Sequence, residues 1–243
     1  MADSTKPTIV LVHGAWADGS SWNAVTVALQ AQGFTVLVPP NPLRNLPDDS
    51  AYIASFLAQR TSGPVVLAGH SYGGAVTTNA ASSVANVKAL VYVDAFIPDE
   101  GETVVSIVEG STSAVAVDPA TIFDIVGFPG AAEGDGDAYL KPEVVHASFA
   151  QDLPEADRWV IVASQRPTAF AANVTPSGPP AWKSIPSWAV LGTEDKAIPI
   201  DVQRRLAERA GSIVTEVKAS HVSMVSQPSA SIDAILAAVA AIS

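Results

Sequence analysis

Ser71 lies in Gly69-His70-Ser71-Tyr72-Gly73, between an apolar run, Pro64-Val65-Val66-Leu67-Ala68, and a helix-like stretch, Ala75 to Val84. Strand, sharp turn and helix, with the serine flanked two residues away by glycines, is the layout that exposes a nucleophilic hydroxyl at a sheet edge. Projecting that side chain forces the serine backbone into a strained conformation. Side chains two residues to either side would then collide, so those places want glycine. Tyr72 opens the helix, where its N–H and the helix dipole can meet a developing negative charge. This is acyl-transfer chemistry, and it needs a base, an acid and a second oxyanion donor.

Four histidines are available: His13, His70, His146 and His221. For a nucleophile on such a turn the chain order is serine, acid, histidine. His13 and His70 precede Ser71, and His146 falls in an amphipathic helical stretch that suits packing or solvent. His221, on the loop after the last strand pattern and before the final helix, is the base. For the acid, Asp195 follows the run Ser187–Leu191 in Gly192-Thr193-Glu194-Asp195, at the sheet edge where ligands bind in open α/β folds. Its carboxylate would hold the His221 tautomer and stabilise the imidazolium. Asp94 is the alternative acid, closing the strand pattern Leu90-Val91-Tyr92-Val93 at the same edge. For the oxyanion hole the donors are the N–H of Tyr72 and that of Ala15, in Val12-His13-Gly14-Ala15-Trp16. Trp16, Trp22, Phe96 and Ile97 are the substrate-binding candidates. His13 is read as a brace for its own loop.

The elements that must carry these residues follow from periodicity. Short β-branched runs at Thr8–Val12, Phe34–Val38, Pro64–Ala68 and Ala89–Val93 alternate with helical patterns at 22–32 and 49–60, each stopped by a glycine. Strands apolar on both faces, alternating with helices, mean a parallel sheet covered on both sides. The alternation breaks from about Pro98 to Ile185, where the patterns (118–126, 142–150, 154–165) read as helical around an acidic, Gly-rich link, 127–137. Residues 174–180 read as an ordered return loop or a hinge. Alternation resumes at Ser187–Leu191, with a helix over 201–210, a strand over Ile213–Val217 and a terminal helix over 229–242. The expectation is a core of 1–97 and 186–243 with a helical cap inserted at 98–185.

Composition narrows the function classes. With 243 residues, 48% hydrophobic and 15% charged, the chain can build one large core. A net charge of −11 disfavours nucleic acid and anionic membranes as partners. No cysteine is present, which excludes disulfides, thiolate metal sites and cysteine nucleophiles. Residues 1–7 carry no apolar signal core, and the run Ile9–Val12 is too short to span a membrane, so a cytoplasmic location is expected.

Taken together, His13-Gly14-Ala15-Trp16, Gly69-His70-Ser71-Tyr72-Gly73-Gly74, Val93 to Pro98, Gly192 to Pro199 and Ser220-His221 resemble the α/β-hydrolase superfamily. The resemblance covers nearly the whole chain. It is greatest to small bacterial esterases related to the plant methyl-ester esterase and hydroxynitrile lyase branch. It implies a six-stranded, mainly parallel sheet without the superfamily's two leading strands, helices on both faces and a helical cap controlling access. It also implies a serine hydrolase acting on an apolar ester, with no cofactor or metal. Serine at the turn sets aside the dehalogenase and epoxide hydrolase branches, which use aspartate. The lyases of this branch carry a threonine at the Gly14 position and a lysine after the base, where this chain has Val222. A lactonase or cofactor-free perhydrolase would start with the same chemistry, and a slow-turnover ligand sensor is the alternative outside enzymes.

Overall fold

The computed structural model describes residues 6–242, so residues 1–5 of the leading segment discussed above, and Ser243, lie outside it. Six strands form the main sheet: β1 (Thr8–Val12), β2 (Val36–Leu37), β3 (Val65–His70), β4 (Val87–Val93), β8 (Ser187–Gly192) and β9 (Ile213–Val217), in the order β2-β1-β3-β4-β8-β9. All neighbouring pairs are parallel, so the sheet is parallel throughout, not merely in the main. Every residue of β3 and β8 is buried, as strands covered on both faces require. Full burial of side chains such as Leu67, Leu90 and Ile9 contributes roughly 1.5–3 kcal/mol each. The strand expected over 34–38 shrinks to two residues at the sheet's edge.

Helices α1 (Asn23–Ala31), the short α10 (Ser223–Ser226) and α11 (Pro228–Ile242) pack together on one face, while α2 (Leu46–Arg60) and α3 (Tyr72–Ala80) pack on the other. Asn45 caps α2 by accepting from the Asp48 N–H at 2.9 Å, and Pro47 sits in its first turn. Helix α9 (Ile200–Arg209) lies against β8 and buries Val202, Leu206 and Ala207 along one stripe. The chain runs outward from β1 to β2 and in the opposite direction from β1 to β3. The C-terminal ends of β1 and β3 therefore flank the topological switch point, where ligands bind in open α/β sheets.

Between β4 and β8 the chain leaves the sheet. It forms α4 (Val104–Val108), α5 (Pro119–Ile122), β5 (Phe123–Val126), β6 (Asp137–Leu140), α6 (Pro142–Val144), α7 (Glu155–Ser164), β7 (Thr168–Ala169) and α8 (Phe170–Val174). The all-helical reading of this insertion is corrected: β5, β6 and β7 make a three-stranded antiparallel sheet. The pattern over 118–126 splits because Asp118 caps only one helical turn. The chain then turns extended at Phe123, where the aromatic and β-branched residues Phe123, Ile125 and Val126 favour a strand. After α6 the helical path widens into a π-helical turn, Val145–Phe149. The 174–180 stretch is an ordered loop, held by Gly101 N–H to Ser177 O at 2.8 Å and Gly178 N–H to Asn79 Oδ1 at 2.7 Å.

Candidate active site

Strand β3 delivers Ser71 at the turn into α3. Its backbone has φ 52° and ψ −125°, a conformation that costs a non-glycine residue roughly 1–3 kcal/mol. Surrounding contacts enforce it. The Ser71 N–H donates to Val93 O at 3.2 Å, and its carbonyl accepts from Gly74 N–H at 2.9 Å and Phe96 N–H at 3.2 Å. The flanking glycines are needed for space: a Cβ on Gly69 would lie 2.5 Å from the Gly73 carbonyl oxygen, and one on Gly73 2.6 Å from that of Val12.

Ser71, His221 and Asp195 form one hydrogen-bonded line. His221 Nε2 lies 2.8 Å from Ser71 Oγ, and His221 Nδ1 lies 2.7 Å from Asp195 Oδ2. Because a carboxylate can only accept, Nδ1 carries the proton and Nε2 is left to accept from the serine hydroxyl. Asp195 is held in turn: Ala197 and Ile198 N–H donate to its Oδ1 at 2.8 and 2.9 Å, and Gln203 Nε2 donates to its Oδ2 at 2.9 Å. All three side chains are buried. Burial pushes the His221 pKa down, but the charge and hydrogen bond of Asp195, with the charge of Asp94 behind it, outweigh that and hold it above the usual histidine value.

Asp94 stands nearby without touching the imidazole. It accepts from Gly192 N–H at 2.8 Å and from Ser223 N–H at 2.9 Å, tying β4 to the end of β8 and to the loop after His221. Its φ is 45°, and it is fully buried. Burial, then repulsion from Asp195, lifts its pKa to about 7. The remaining histidines also find places. His70 Nε2 donates to the His221 carbonyl at 2.7 Å, and burial keeps its pKa well below normal. His13 accepts from Asn41 N–H at 3.0 Å through Nε2 and donates through Nδ1 to Gly14 O at 2.9 Å, bracing the loop after β1. His146 packs edge-on to Trp159 in the insertion, away from this line.

Ala15 and Tyr72 both border the cavity above Ser71. Tyr72 is the first residue of α3, so its N–H has no acceptor within the helix, and the Ala15 N–H meets no acceptor among the described residues. Gly14 permits this approach, since a Cβ there would lie 2.6 Å from Ser71 Cβ. Next to it, Trp16 is fixed to the insertion twice, by its N–H to Arg166 O at 2.8 Å and by Nε1 to Ala138 O at 2.9 Å. The Tyr72 hydroxyl is occupied elsewhere, donating to Asp49 at 2.8 Å.

The cavity has a volume of about 420 Å³ and is walled mainly by apolar side chains. Trp16 and Phe96 line it, as do Phe123 and Phe170, the Trp16 and Phe123 rings stacking at 5.5 Å. Two expectations are corrected. Trp22 and Ile97 do not reach the cavity; Trp22 is sealed in the core beside α1, and Ile97 is packed under the insertion with its carbonyl bound by Arg209. Sequence reasoning missed Val104, Val108 and Ile198 in the lining. It also missed Phe149, whose ring lies 5.1 Å from that of His221. Gln203 was missed too, although a glutamine on the buried stripe of α9 was a usable signal. Among the described residues no cluster of histidine and carboxylate side chains is arranged to hold a metal ion, and no helix is long and apolar enough to cross a membrane.

Comparison with known proteins places the fold. A carbendazim-hydrolysing esterase from Nocardioides sp. (strain SG-4G) is 32% identical over 110 residues, 40% of this chain and 46% of that protein, so the chain spans less than half the length of that curated relative. Polyneuridine aldehyde esterase superimposes with a TM-score of 0.77 at 21% identity, covering 96% of this chain and 98% of its own. Tomato methylketone synthase I, solved with 2-tridecanone, gives 0.78 at 18% identity over 96% of this chain and 97% of its own. A pyrethroid hydrolase from Sphingobium faniae JZ-2 gives 0.75 at 23% identity over 97% and 98%. At these identities the structural likeness speaks for the fold. The family model described as "Alpha/beta hydrolase family" matches residues 9–234, nearly the full length, and the chain belongs to that family.

Proposed function

We propose that the protein is a serine hydrolase that cleaves a carboxylic ester of a small, largely apolar substrate through an acyl-enzyme. The observation that carries this reading is the unbroken line from Ser71 Oγ to His221 at 2.8 Å and on to Asp195 at 2.7 Å, at the floor of an apolar cavity. The partial relative named as an esterase supports it. In this reading His221 Nε2 takes the hydroxyl proton as Ser71 Oγ attacks the ester carbonyl. The N–H groups of Ala15 and Tyr72 receive the oxyanion, each donor being worth about 3 kcal/mol in such sites. The tetrahedral adduct collapses, and the imidazolium returns its proton to the departing alcohol. Water, deprotonated by the same His221, then releases the acid and restores Ser71. The reaction calls on no cofactor. Residues 98–185 act as the cap over a core of 1–97 and 186–243.

The test is hydrolysis of p-nitrophenyl esters from acetate to octanoate by wild type and Ser71→Ala. Multiple turnover that vanishes in the variant, with an optimum at one chain length, is expected. Turnover unchanged in Ser71→Ala sinks the mechanism. One burst that leaves Ser71 acylated moves the reading toward a ligand sensor.

A further inference from the structure

The wall of the cavity between floor and mouth is apolar, formed by Val104, Val108, Val115, Phe123 and Phe170. Three residues with ionisable side chains border it. His221 is committed to Ser71 and Asp195, and the Tyr72 hydroxyl to Asp49. The third is Glu109. It ends α4, immediately before Gly110 at φ 73°, and it is exposed while its neighbours Val104 and Val108 are buried. Val105, Val117 and Val174, each about half exposed, line the same cavity, which puts its opening to solvent beside Glu109.

The Glu109 carboxylate has no ion-pair or side-chain hydrogen-bond partner among the described residues. No lysine or arginine lines the cavity; Arg205, the cation that reaches α4, gives its guanidinium to Ile107 O at 2.9 Å. A carboxylate of the same sign as the molecule's net charge of −11 therefore stands uncompensated at the mouth of an apolar, low-dielectric channel.

We propose that Glu109 is a specificity-determining residue: the cavity selects esters whose apolar body ends in a neutral or cationic group and turns away those ending in a carboxylate. This rests on the ester-hydrolase reading above and assigns the substrate class within it. Glu109 takes no part in bond making; it acts on the far end of the substrate, through charge.

The experiment compares wild type with Glu109→Gln on three p-nitrophenyl esters of matched length: hexanoate, the monoester of adipic acid, and the 6-trimethylammonio-hexanoate. A second set carries the same three end groups on the alcohol side, so that either orientation in the cavity is covered. Glu109→Gln is expected to raise kcat/KM for the carboxylate-ended ester roughly two- to fivefold, chiefly through KM, and to lower it comparably for the cationic one. The hexanoate should not change, and both effects should fade at about 0.5 M salt. All end groups shifting together, or shifts indifferent to salt, overturn the proposal. Calorimetric binding of hexyltrimethylammonium, hexanol and hexanoate to both proteins gives the same ranking without turnover. A failure of the hydrolase reading is thereby distinguished from a failure of this one.

Discussion

Replacing Asp195 by asparagine removes one negative charge and almost no volume, yet the hydrogen-bond inventory makes it a severe change. Asp195 accepts four bonds: two from the Ala197 and Ile198 N–H groups on Oδ1, and two from Gln203 Nε2 and His221 Nδ1 on Oδ2. An asparagine oxygen satisfies the two backbone donors only by aiming its NH₂ at Gln203 and His221. Two donors then face each other at Gln203, which cannot flip without turning its own oxygen toward the Ile198 carbonyl that it now holds at 2.7 Å. At His221 the NH₂ forces Nδ1 to accept, so the ring proton moves to Nε2 and points at Ser71 Oγ. The base is then blocked. A fall of about 10⁴ in kcat, or about 5.5 kcal/mol of transition-state stabilisation, is expected. Asp94→Asn sets the contrast. It leaves one backbone N–H facing an NH₂, a stability cost of about 1–3 kcal/mol, but keeps the tautomer, so kcat should fall less than about tenfold. Initial rates on p-nitrophenyl butyrate, with thermal melts to confirm folding, separate the two. An Asp195→Asn protein that keeps a tenth of wild-type kcat, beside an inactive Asp94→Asn, refutes this assignment.

On the proposed mechanism His221 must be neutral to accept the serine proton, so kcat/KM should fall on the acid side with a midpoint above the ordinary histidine value of 6.5, and Asp94→Asn should move that midpoint down. The same groups predict a stability slope. Asp94, raised from 3.8 to about 7, favours the folded state less as pH climbs through that window, and the contribution of His221, present below 6.5, is lost as pH rises through its folded value. The opposing effect of the depressed His13 and His70 is confined below 6.5. The melting temperature should therefore drop as pH rises above about 6.5, and less steeply in Asp94→Asn; a flat or rising profile there contradicts the assigned shifts. Gly14→Ala, whose Cβ would sit 2.6 Å from Ser71 Cβ and 2.8 Å from the His70 carbonyl oxygen, should displace the Ala15 N–H and cost roughly 10²–10³ in kcat, which single-turnover kinetics will measure. Trp22→Phe should lower the melting temperature and leave the acyl-length optimum in place, whereas Trp16→Phe, deprived of its bond to Ala138 O, should raise KM across the ester series.

The parts legible in the sequence are those where local chemistry and global fold demand the same residues. Strands buried on both faces need continuous Val, Leu and Ala, so β1, β3, β4 and β8 stand out as apolar runs. The Ser71 turn needs glycines for steric reasons that no context relaxes. The sequence favours Asp195 over Asp94 as the acid, but on weaker grounds, because both end a strand at the same sheet edge. Only the three-dimensional path of the backbone decides which carboxylate faces the imidazole. The insertion was misread for a related reason. Phe123–Val126 is partly or largely exposed and Asp137–Leu140 is only four residues long, so neither carries the buried run that marks a core strand. Phe149 was hidden in what reads as an ordinary amphipathic helix; its approach to His221 follows from a π-helical turn, which leaves no periodic trace.

The two bonds that fix Trp16 to the insertion bear on how the molecule moves. The residue beside Ala15 is stapled through its backbone to Arg166 and through its indole to Ala138. An insertion displaced far enough to break those bonds would free the segment that carries Ala15, the proposed oxyanion donor. Raising the roof thus disarms the floor. On the proposed mechanism, an opened insertion would be the state least able to steady the oxyanion, so turnover would require it closed over the substrate.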